Sequence, residues 1–490
     1  MLRISEIVKK KPAIGWILFL GTMAITFGIG LFASSIMERR VESQYRFQMN
    51  TPIAQWESDS GKWKDNFPRE YETWKKTADS SFKSKYAGSA VRDLLDENPN
   101  QVVMWAGYAF SREYNQARGH FNAVSDIRNV LRTAVPQPGT CWTCKSPDVP
   151  RLMNEMGIAA FYASKWSDLG PKVKHSIGCL DCHDPKTMNL RISRPALVQA
   201  FERQGKDVHN ATQQEMRSLV CAQCHVEYYF KDKKTNYLTF PWDKGTSVEQ
   251  IEDYYDNIDF YDWIHPLSKA HMLKAQHPDY EIFQTSIHAK RGLSCADCHM
   301  PYRSEGGIKM TDHHIQSPLN NISNSCQVCH VNDAKELIRD VYERQDKIKE
   351  LRDRAQDAIS RLHIEAKFAW DKGASEEEMK PILTGIRHAQ WRWDFAVASI
   401  GGPFHAPLET ARILSTSIDK AQGARIQLAV VLAKHGYTEP VPMPDLSTKA
   451  KAQQYIGLNM EQLNKEKQEI LTNVISKWDD QYDQEMKTRK

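Results

Sequence analysis

The cysteines of this 490-residue chain constrain its fold more than any other feature. All ten fall into five Cys-x-x-Cys pairs, and none is left over. Histidine follows four of the pairs directly, whereas lysine follows the fifth. In chain order, the pairs and the residues that follow them are Cys141, Cys144 and Lys145; Cys179, Cys182 and His183; Cys221, Cys224 and His225; Cys295, Cys298 and His299; and Cys326, Cys329 and His330.

Three kinds of chemistry use paired cysteines. Structural zinc uses two cysteine pairs per tetrahedral site, so the fifth pair would have no partner and the histidines that follow the pairs would have no role. Disulfides suit an exported chain but place no requirement on the next residue. Covalent attachment of c-type haem requires the cysteine pair and also a particular residue after it. The two sulfurs bond the porphyrin, and the next residue is placed as an iron ligand. With 17 histidines in 490 residues, four chance matches have a probability of roughly one in a million. The spacing therefore predicts c-type haem.

The fifth pair raises a separate question, because Lys145 stands where the other pairs have histidine. An amine binds iron only when it is deprotonated, so such a ligand needs a dry site that lowers its pKa. Two alternatives stay open. Lys145 is a surface charge and its haem takes a ligand from elsewhere, or Cys141 and Cys144 form a disulfide.

The N-terminus predicts export across a membrane. Basic residues, among them Arg3 and Lys10, precede an apolar run from Ala13 to Ile36. This run has about the length of a membrane-spanning helix, roughly 20 residues, whereas a cleaved signal has a shorter apolar core. An uncleaved anchor is favoured, and the small residues Ala33-Ser34-Ser35 keep cleavage open.

Composition changes along the chain divide it into three regions. We expect a signal peptide or anchor over residues 1–40, a haem-binding region over 41–330 and a helical region over 331–490. The middle region is rich in Pro and Gly, so the haems themselves would form much of its core. The C-terminal region has helical periodicity with breakers between its segments. Its amphipathic patterns cover Ala334 to Lys372, Glu376 to Ile400, Leu408 to His435 and Ala450 to Thr488.

The overall charge excludes one class of partner. Net charge is +4, from 65 basic and 61 acidic side chains. A balance this close to neutral gives a weak long-range field, so we expect no nucleic-acid binding.

Several segments, in a fixed order, resemble one enzyme family. They include WAGYAFSREYNQARGH, CWTCKSPDVPRL, CAQCHVEYYF, LKAQHPDYE, TDHHIQSP and GGPFHAP, between about residue 100 and about residue 410. Together with one CWxCK and four CxxCH motifs, they are similar to the ammonia-forming cytochrome c nitrite reductases, which are pentahaem enzymes of the bacterial periplasm. The resemblance implies a mainly α multihaem cytochrome c with a haem-organised, loop-rich core and long C-terminal helices.

The resemblance also implies how each iron is held. The haem of Lys145 would be catalytic, with one face open to substrate. The other four would carry electrons between two histidines each, with proximal ligands His183, His225, His299 and His330. The distal ligands implied for these are, in the same order, His313, His120, His405 and His288. His314 is an alternative to its neighbour His313.

Three polar residues match the substrate pocket of the family. They are Arg132, Tyr228 and His277, with Arg128 as the alternative arginine. An arginine fork suits an oxygen anion, and histidine and a phenol can supply protons.

A calcium site is also implied beside this pocket. Its ligands would be the Glu227 carboxylate, the Gln276 amide oxygen and the main-chain carbonyls of Tyr228 and Lys274. Oxygen donors of this kind suit a hard cation.

The implied activity is the six-electron reduction of nitrite to ammonium, with related nitrogen oxides and hydroxylamine as further substrates. The resemblance implies a periplasmic homodimer that receives electrons from a membrane-bound tetrahaem quinol-oxidising cytochrome or from a soluble multihaem donor. Two other functions stay open: an electron carrier without chemistry of its own, and a reductase of sulfite or another oxidised sulfur anion.

Overall fold

The computed structural model describes residue 9 and residues 11–45, 49–134 and 136–488, with the side chains of 39–45 left out. Arg3 and Lys10, which belong to the predicted export segment, lie outside the described residues. The structure divides into two units. One contains the residues up to Pro52 with Lys186–Met188, and the other contains Ile53–Pro185 with Asn189–Lys490. The domain boundaries predicted after residues 40 and 330 stay predictions.

The first unit contains one long helix, α1, over Pro12–Tyr45. Its segment Pro12–Glu38 has a mean hydropathy of 2.0 and is long enough to cross a membrane, by length and composition. This segment includes the predicted apolar run. A signal sequence would meet the same criterion, so the choice between anchor and cleaved signal stays open.

The second unit is mainly helical, which confirms the predicted fold class. In the described residues its strands form three antiparallel two-stranded hairpins: β1 with β2, β3 with β4, and β5 with β6. The strands are β1 (Tyr229–Phe230), β2 (Leu238–Thr239), β3 (Trp263–Ile264), β4 (His271–Met272), β5 (Tyr302–Glu305) and β6 (Ile308–Thr311). Its helices are α2 (Pro68–Lys75), α3 (Leu94–Glu97), α4 (Asn100–Met104), α5 (Ala123–Asn129), α6 (Asp148–Met156), α7 (Ile158–Ala163), α8 (Trp166–Leu169), α9 (Cys179–Cys182), α10 (Pro195–Arg203), α11 (Gln213–Ala222), α12 (Val248–Asn257), α13 (Asp279–Gln284), α14 (Ile287–Lys290), α15 (Cys295–His299), α16 (Ile322–Ser325), α17 (Ala334–Asp371), α18 (Glu376–Ala398), α19 (Gly402–His405), α20 (Pro407–Lys434), α21 (Lys449–Tyr455), α22 (Met460–Asn473) and α23 (Trp478–Thr488).

Each Cys-x-x-Cys-His motif forms a single helical turn. The histidine N–H donates to the carbonyl of the first cysteine at 3.0 Å for His183 and at 2.9 Å for His225 and His330. The fourth motif is the helix α15 itself. Residues at positions i, i+3 and i+4 share one face of such a turn. Both thiols and the imidazole of a motif therefore face the same side.

The C-terminal helices are ended by local capping residues. The Asp333 side chain accepts from the Glu336 N–H to begin α17, and Ser375 and Glu378 form a capping box at the start of α18. Gly373, with φ of +90°, follows α17 in the left-handed conformation that glycine adopts most readily. These signals fix the connection between the two longest helices of the second unit.

Helices α17, α18 and α20 pack against one another, and α17 also contacts α4. The residues between them are apolar and buried, and each contributes about 1.5–3 kcal/mol by leaving water. They include Ile359, Leu362, Ile382, Ile386 and Leu414.

Three of the four predicted C-terminal helices begin and end within two residues of their predicted limits. The fourth prediction, a continuous pattern over Ala450 to Thr488, was wrong because this stretch folds into α21, α22 and α23. Gly457, with φ of +80°, ends the first of these, and Asn459 caps the second.

A buried polar network joins α17, α18 and the end of α4. Gln390 on α18 donates to the Met104 carbonyl at 2.9 Å, and its side-chain oxygen lies 2.8 Å from His363 Nε2 on α17. His363 Nδ1 lies 2.9 Å from the Ser268 hydroxyl. Gln390 and His363 are fully buried. Each of these hydrogen bonds therefore replaces one that the same group forms with water in the unfolded chain.

We therefore expect Gln390→Leu to lower the free energy of unfolding by about 2–4 kcal/mol, because it leaves the Met104 carbonyl and the Nε2 atom of His363 without these partners in the core. Denaturant unfolding of the intact holoprotein measures this. The control is Gln468→Leu on α22, which is exposed and should change stability by less than about 0.5 kcal/mol. Equal effects of the two substitutions would contradict the role of the network.

Candidate functional site

Cys141 and Cys144 are not joined by a disulfide in this structure. In the part of the chain that the structure describes, no three His, Cys, Asp or Glu side chains converge on a point that could hold a metal ion by themselves. The zinc interpretation needs four such ligands and has no support in this geometry.

Thiols of different motifs nevertheless lie close together. Cys144 interacts electrostatically with Cys224, and Cys221 interacts electrostatically with Cys295. Three of the five motifs are therefore direct neighbours in space. Groups bound to them would also be neighbours.

Each histidine that follows a Cys-x-x-Cys pair has another histidine at a ring separation of 6.2 to 6.4 Å, and His225 also has His277 at 6.1 Å. The ring centroids of His183 and His313 are 6.2 Å apart, and those of His299 and His405 are also 6.2 Å apart. The other two pairs are His120 with His225 at 6.3 Å and His288 with His330 at 6.4 Å. These four pairings are the ones that the family resemblance implies.

The gap has the size that a shared metal ion would require. Two bonds of about 2 Å from a metal to imidazole nitrogen, plus the short distance from each nitrogen to its ring centre, span about this separation. Direct stacking of rings would bring them closer, as it does for His265 and His363, whose centroids are 3.7 Å apart. The four pairs therefore fit two axial ligands of a haem iron.

Three of the paired imidazoles are held by a hydrogen bond at Nδ1. His313 Nδ1 donates to the Thr311 carbonyl at 2.8 Å, and His299 Nδ1 donates to the Gln316 carbonyl at 2.8 Å. His225 Nδ1 donates to the Asp279 carboxylate at 3.3 Å. Metal-binding histidines usually donate their second N–H in this way, which fixes the ring and leaves Nε2 free.

The structure also separates His313 from its neighbour. Whereas the His313 ring faces His183, the His314 N–H donates to the Asp312 side chain, and the His314 ring interacts electrostatically with Asp312 and Lys76. His313 is thus the one that occupies the predicted ligand position.

Burial favours the neutral form of two of these imidazoles, His120 and His405, which is the form that binds a metal. Desolvation, with a contribution from His225, lowers the pKa of His120 to about 3. Desolvation, with a contribution from His299, lowers the pKa of His405 to about 4. Protein that surrounds an imidazole disfavours its cationic form.

The surroundings of Lys145 differ from those of the four histidines. Its N–H donates to the Trp142 carbonyl at 3.0 Å, which places it after the short 3-10 turn Gly139–Trp142. Its charge lowers the pKa of both His120 and His277. Lys145 is therefore close to His277, one of the predicted pocket residues.

The structure assigns the two candidate arginines to different places. Arg128 donates to Asp479 at 2.8 Å and to the Val173 carbonyl at 2.7 Å, so its side chain is held by the C-terminal helix α23. The Arg132 guanidinium lies 4.2 Å from the centre of the Phe110 ring and interacts electrostatically with Cys141. Of the two, Arg132 lies beside the lysine-bearing motif.

Tyr228 and His277 complete this cluster. Desolvation raises the pKa of the Tyr228 phenol, and so does electrostatic interaction with Cys144 and Cys141. The His277 ring centroid is 6.1 Å from that of His225. Desolvation and the nearby His225 lower the pKa of His277 to about 3. The residue nevertheless keeps a solvent-exposed surface. The structure thus brings all three predicted pocket residues to the Cys141 motif.

The residues predicted to bind calcium also lie together. Glu227 is buried, and its carboxylate accepts from the Gln276 N–H at 2.6 Å and from the Tyr255 hydroxyl at 3.0 Å. The Gln276 side chain in turn contacts the Lys274 carbonyl at 3.2 Å. Burial raises the pKa of Glu227 well above its usual range. A cation at these oxygens would remove the cost of burying this charge.

Sequence reasoning missed the support for this loop. The Lys274 ammonium forms a buried ion pair with Asp394 of α18 at 2.8 Å, and Asp394 also accepts from the Ala275 N–H at 2.6 Å. The Lys274 N–H donates to Asp262 at 2.8 Å. The pair is far apart in the chain, so no local pattern marks it. This ion pair fixes the Lys274 side chain, while the Lys274 carbonyl accepts from the Gln276 side chain.

The comparisons with known proteins agree with this geometry. Residues 59–487 match the family model described as Cytochrome c552. Cytochrome c-552 of Parabacteroides distasonis is 57% identical over 96% of this chain and 97% of its own length. The protein of the same name from Aliarcobacter butzleri is 46% identical over 92% of each chain.

A solved structure shares the fold. It is cytochrome c nitrite reductase from Desulfovibrio desulfuricans, a catalytic subunit described as having two calcium sites. The TM-score is 0.74 at 30% identity, and the match covers 84% of this chain and 91% of the other. With the family match over most of the chain, these similarities show that this protein belongs to the cytochrome c552 family and that its cofactor is covalently bound c-type haem.

Proposed function

We propose that the protein reduces nitrite to ammonium at the haem bound by Cys141 and Cys144. Four further haems, each between two histidines, would deliver the electrons. The overall reaction consumes one nitrite, six electrons and eight protons and releases one ammonium ion and two water molecules. Nitrite reduction is the activity named for the similar Desulfovibrio desulfuricans enzyme.

One observation carries this proposal. The histidines after four Cys-x-x-Cys pairs each face another imidazole at 6.2 to 6.4 Å, whereas Lys145 is accompanied by His277, Tyr228 and Arg132. A group held between two imidazoles has no position left for substrate and is suited to electron transfer. The different surroundings of Lys145 make its motif the candidate for chemistry.

Arg132 would bind and orient the anion. Its guanidinium stays charged at any physiological pH and offers a fork of N–H donors that matches two oxygens. Its position over the Phe110 ring limits how the fork can turn. A substrate held at this fork would lie beside the lysine-bearing motif.

His277 and Tyr228 would supply and orient protons. An imidazole N–H and a phenol O–H both donate to an oxygen that gains negative charge during reduction. When bound, the haem supplies the electrons and the coordination position for substrate. The Lys145 amine would be its ligand on the side of the polypeptide turn.

A calcium ion would bind the oxygens of Glu227, Gln276, Lys274 and Tyr228. The Glu227 and Lys274 positions are already linked through Gln276. Gln276 directly precedes His277, and Tyr228 directly follows Glu227. An ion bound here would therefore fix both pocket residues, His277 and Tyr228. It would also add positive charge near the path of an anion.

The protein would act in the periplasm, with α1 as an anchor or as an export signal. Electrons would come from a membrane-bound tetrahaem quinol-oxidising cytochrome or from a soluble multihaem donor. A homodimer formed through the C-terminal helices is in keeping with exposed apolar residues on α20, Leu408, Ile426 and Val430.

The activity can be tested directly. The purified protein, reduced with a viologen dye, should oxidise the dye when nitrite is added and should form one ammonium per six electrons. An electron carrier would show no nitrite-dependent oxidation. Parallel assays with hydroxylamine and sulfite would show which substrate is preferred, and faster turnover of sulfite than of nitrite would contradict the proposal.

Lys145→His tests the role of the amine. We expect unchanged haem content, an altered high-spin absorption and a fall in nitrite turnover of at least about tenfold, because a different ligand changes the electron density at the iron. The matched control, Lys206→His, alters an exposed lysine and should have no effect. Full activity of Lys145→His would show that the amine is not needed.

Glu227→Gln tests the calcium site. The substitution keeps the shape of the side chain but removes its charge, so we expect bound calcium to decrease and nitrite turnover to fall about 10- to 100-fold, as losses around metal sites do. Elemental analysis and steady-state rates measure the two effects. Glu439→Gln, at an exposed position, is the control. Unchanged calcium in Glu227→Gln would exclude this carboxylate as a ligand.

A further inference from the structure

Lys467 is buried in an unusual place. It lies on α22 (Met460–Asn473) and is the buried residue of that helix, with only 5% of its surface exposed. Lysine is rarely buried without a partner. A helix that buries a lysine rather than an apolar residue points to a specific contact at that position.

The Lys467 ammonium donates two short hydrogen bonds. One goes to the Arg128 carbonyl at 2.6 Å, and the other goes to the Thr133 hydroxyl at 2.8 Å. The Thr133 hydroxyl in turn donates to the Val130 carbonyl at 2.9 Å. Neither acceptor of Lys467 is a carboxylate, and desolvation lowers the pKa of Lys467 to about 8, against a raising contribution from Glu113.

These two contacts lie on either side of Arg132 in the chain. The short 3-10 turn Leu131–Ala134 carries Arg132, and α22 packs against this turn. Glu113 also contacts this turn: its carboxylate accepts from the Leu131 N–H, and its carbonyl accepts from Arg132 at 3.2 Å. The turn is therefore held both by Glu113 and by the Lys467 ammonium.

We propose that Lys467 is a positioning residue for nitrite binding, which fixes the backbone of the Arg132 turn from the C-terminal helix α22. This inference rests on the proposed role of Arg132 in holding the anion. Lys467 does not touch substrate or haem; it sets where the Arg132 fork lies. Its loss would therefore weaken the binding of an anion more than it would slow the later reduction.

Lys467→Met keeps the length of the side chain and removes both hydrogen bonds. We expect the KM for nitrite to rise about tenfold, the effect of losing hydrogen bonds from a charged donor, with kcat within about twofold of the parent. Hydroxylamine is a neutral substrate, so its KM should change by less than about twofold. Haem absorption and thermal unfolding would be recorded for each variant.

The control is Lys465→Met, which removes the same charge from an exposed position of the same helix and should leave both KM values unchanged. A second variant, Thr133→Val, removes one acceptor and should raise the KM for nitrite in the same direction. Equal increases for nitrite and hydroxylamine, or an unchanged KM for nitrite in Lys467→Met, would overturn the inference.

Arg132→Ala separates this inference from the proposed function. If Lys467 acts through Arg132, adding Lys467→Met to Arg132→Ala should raise the KM for nitrite by less than about twofold further. Full additivity would overturn the inference alone. If Arg132→Ala itself leaves the KM for nitrite unchanged, the proposed role of Arg132 fails, and the inference fails with it.

Discussion

The distance between paired imidazoles is the constraint on which the middle of this protein depends. Four pairs are held at 6.2 to 6.4 Å between ring centres, too far for stacking and suited to a shared iron. One member of each pair lies on or after a single helical turn, and the other comes from a distant part of the chain. The region between Cys141 and His330 can therefore consist of short helices and hairpins, because the haems would join these elements to one another.

The C-terminal helices fix the position of the chemistry from outside this region. Asp394 of α18 holds the Lys274 ammonium, which orients the loop that carries Gln276 and His277. Lys467 of α22 holds the turn that carries Arg132. Buried charges of this kind need complete hydrogen bonding to be tolerated. Two long-range contacts from one helical region would thus hold two sides of the proposed substrate pocket.

Local sequence patterns predicted much of this arrangement. The Cys-x-x-Cys spacing and helical periodicity identified the haem motifs and the limits of α17, α18 and α20, because both are properties of neighbouring residues. The pattern after Ala450 was misinterpreted as continuous, since a glycine in the left-handed conformation at position 457 breaks it.

Contacts between distant residues could not be predicted in the same way. The pairing of His120 with His225 came only from family resemblance, because no spacing rule joins positions so far apart. The roles of Asp394 and Lys467 were missed for the same reason, as each looks like an ordinary charged residue on an amphipathic helix. Burial in the folded chain is what distinguishes them.

Because lysine replaces histidine at one of the five motifs, one haem iron should differ from the other four. Electron paramagnetic resonance of the oxidised protein tests this most directly. We expect low-spin signals from the bis-histidine sites and one distinct signal that alone changes when nitrite is added. Five low-spin irons that do not respond to nitrite would contradict it and would leave an electron carrier.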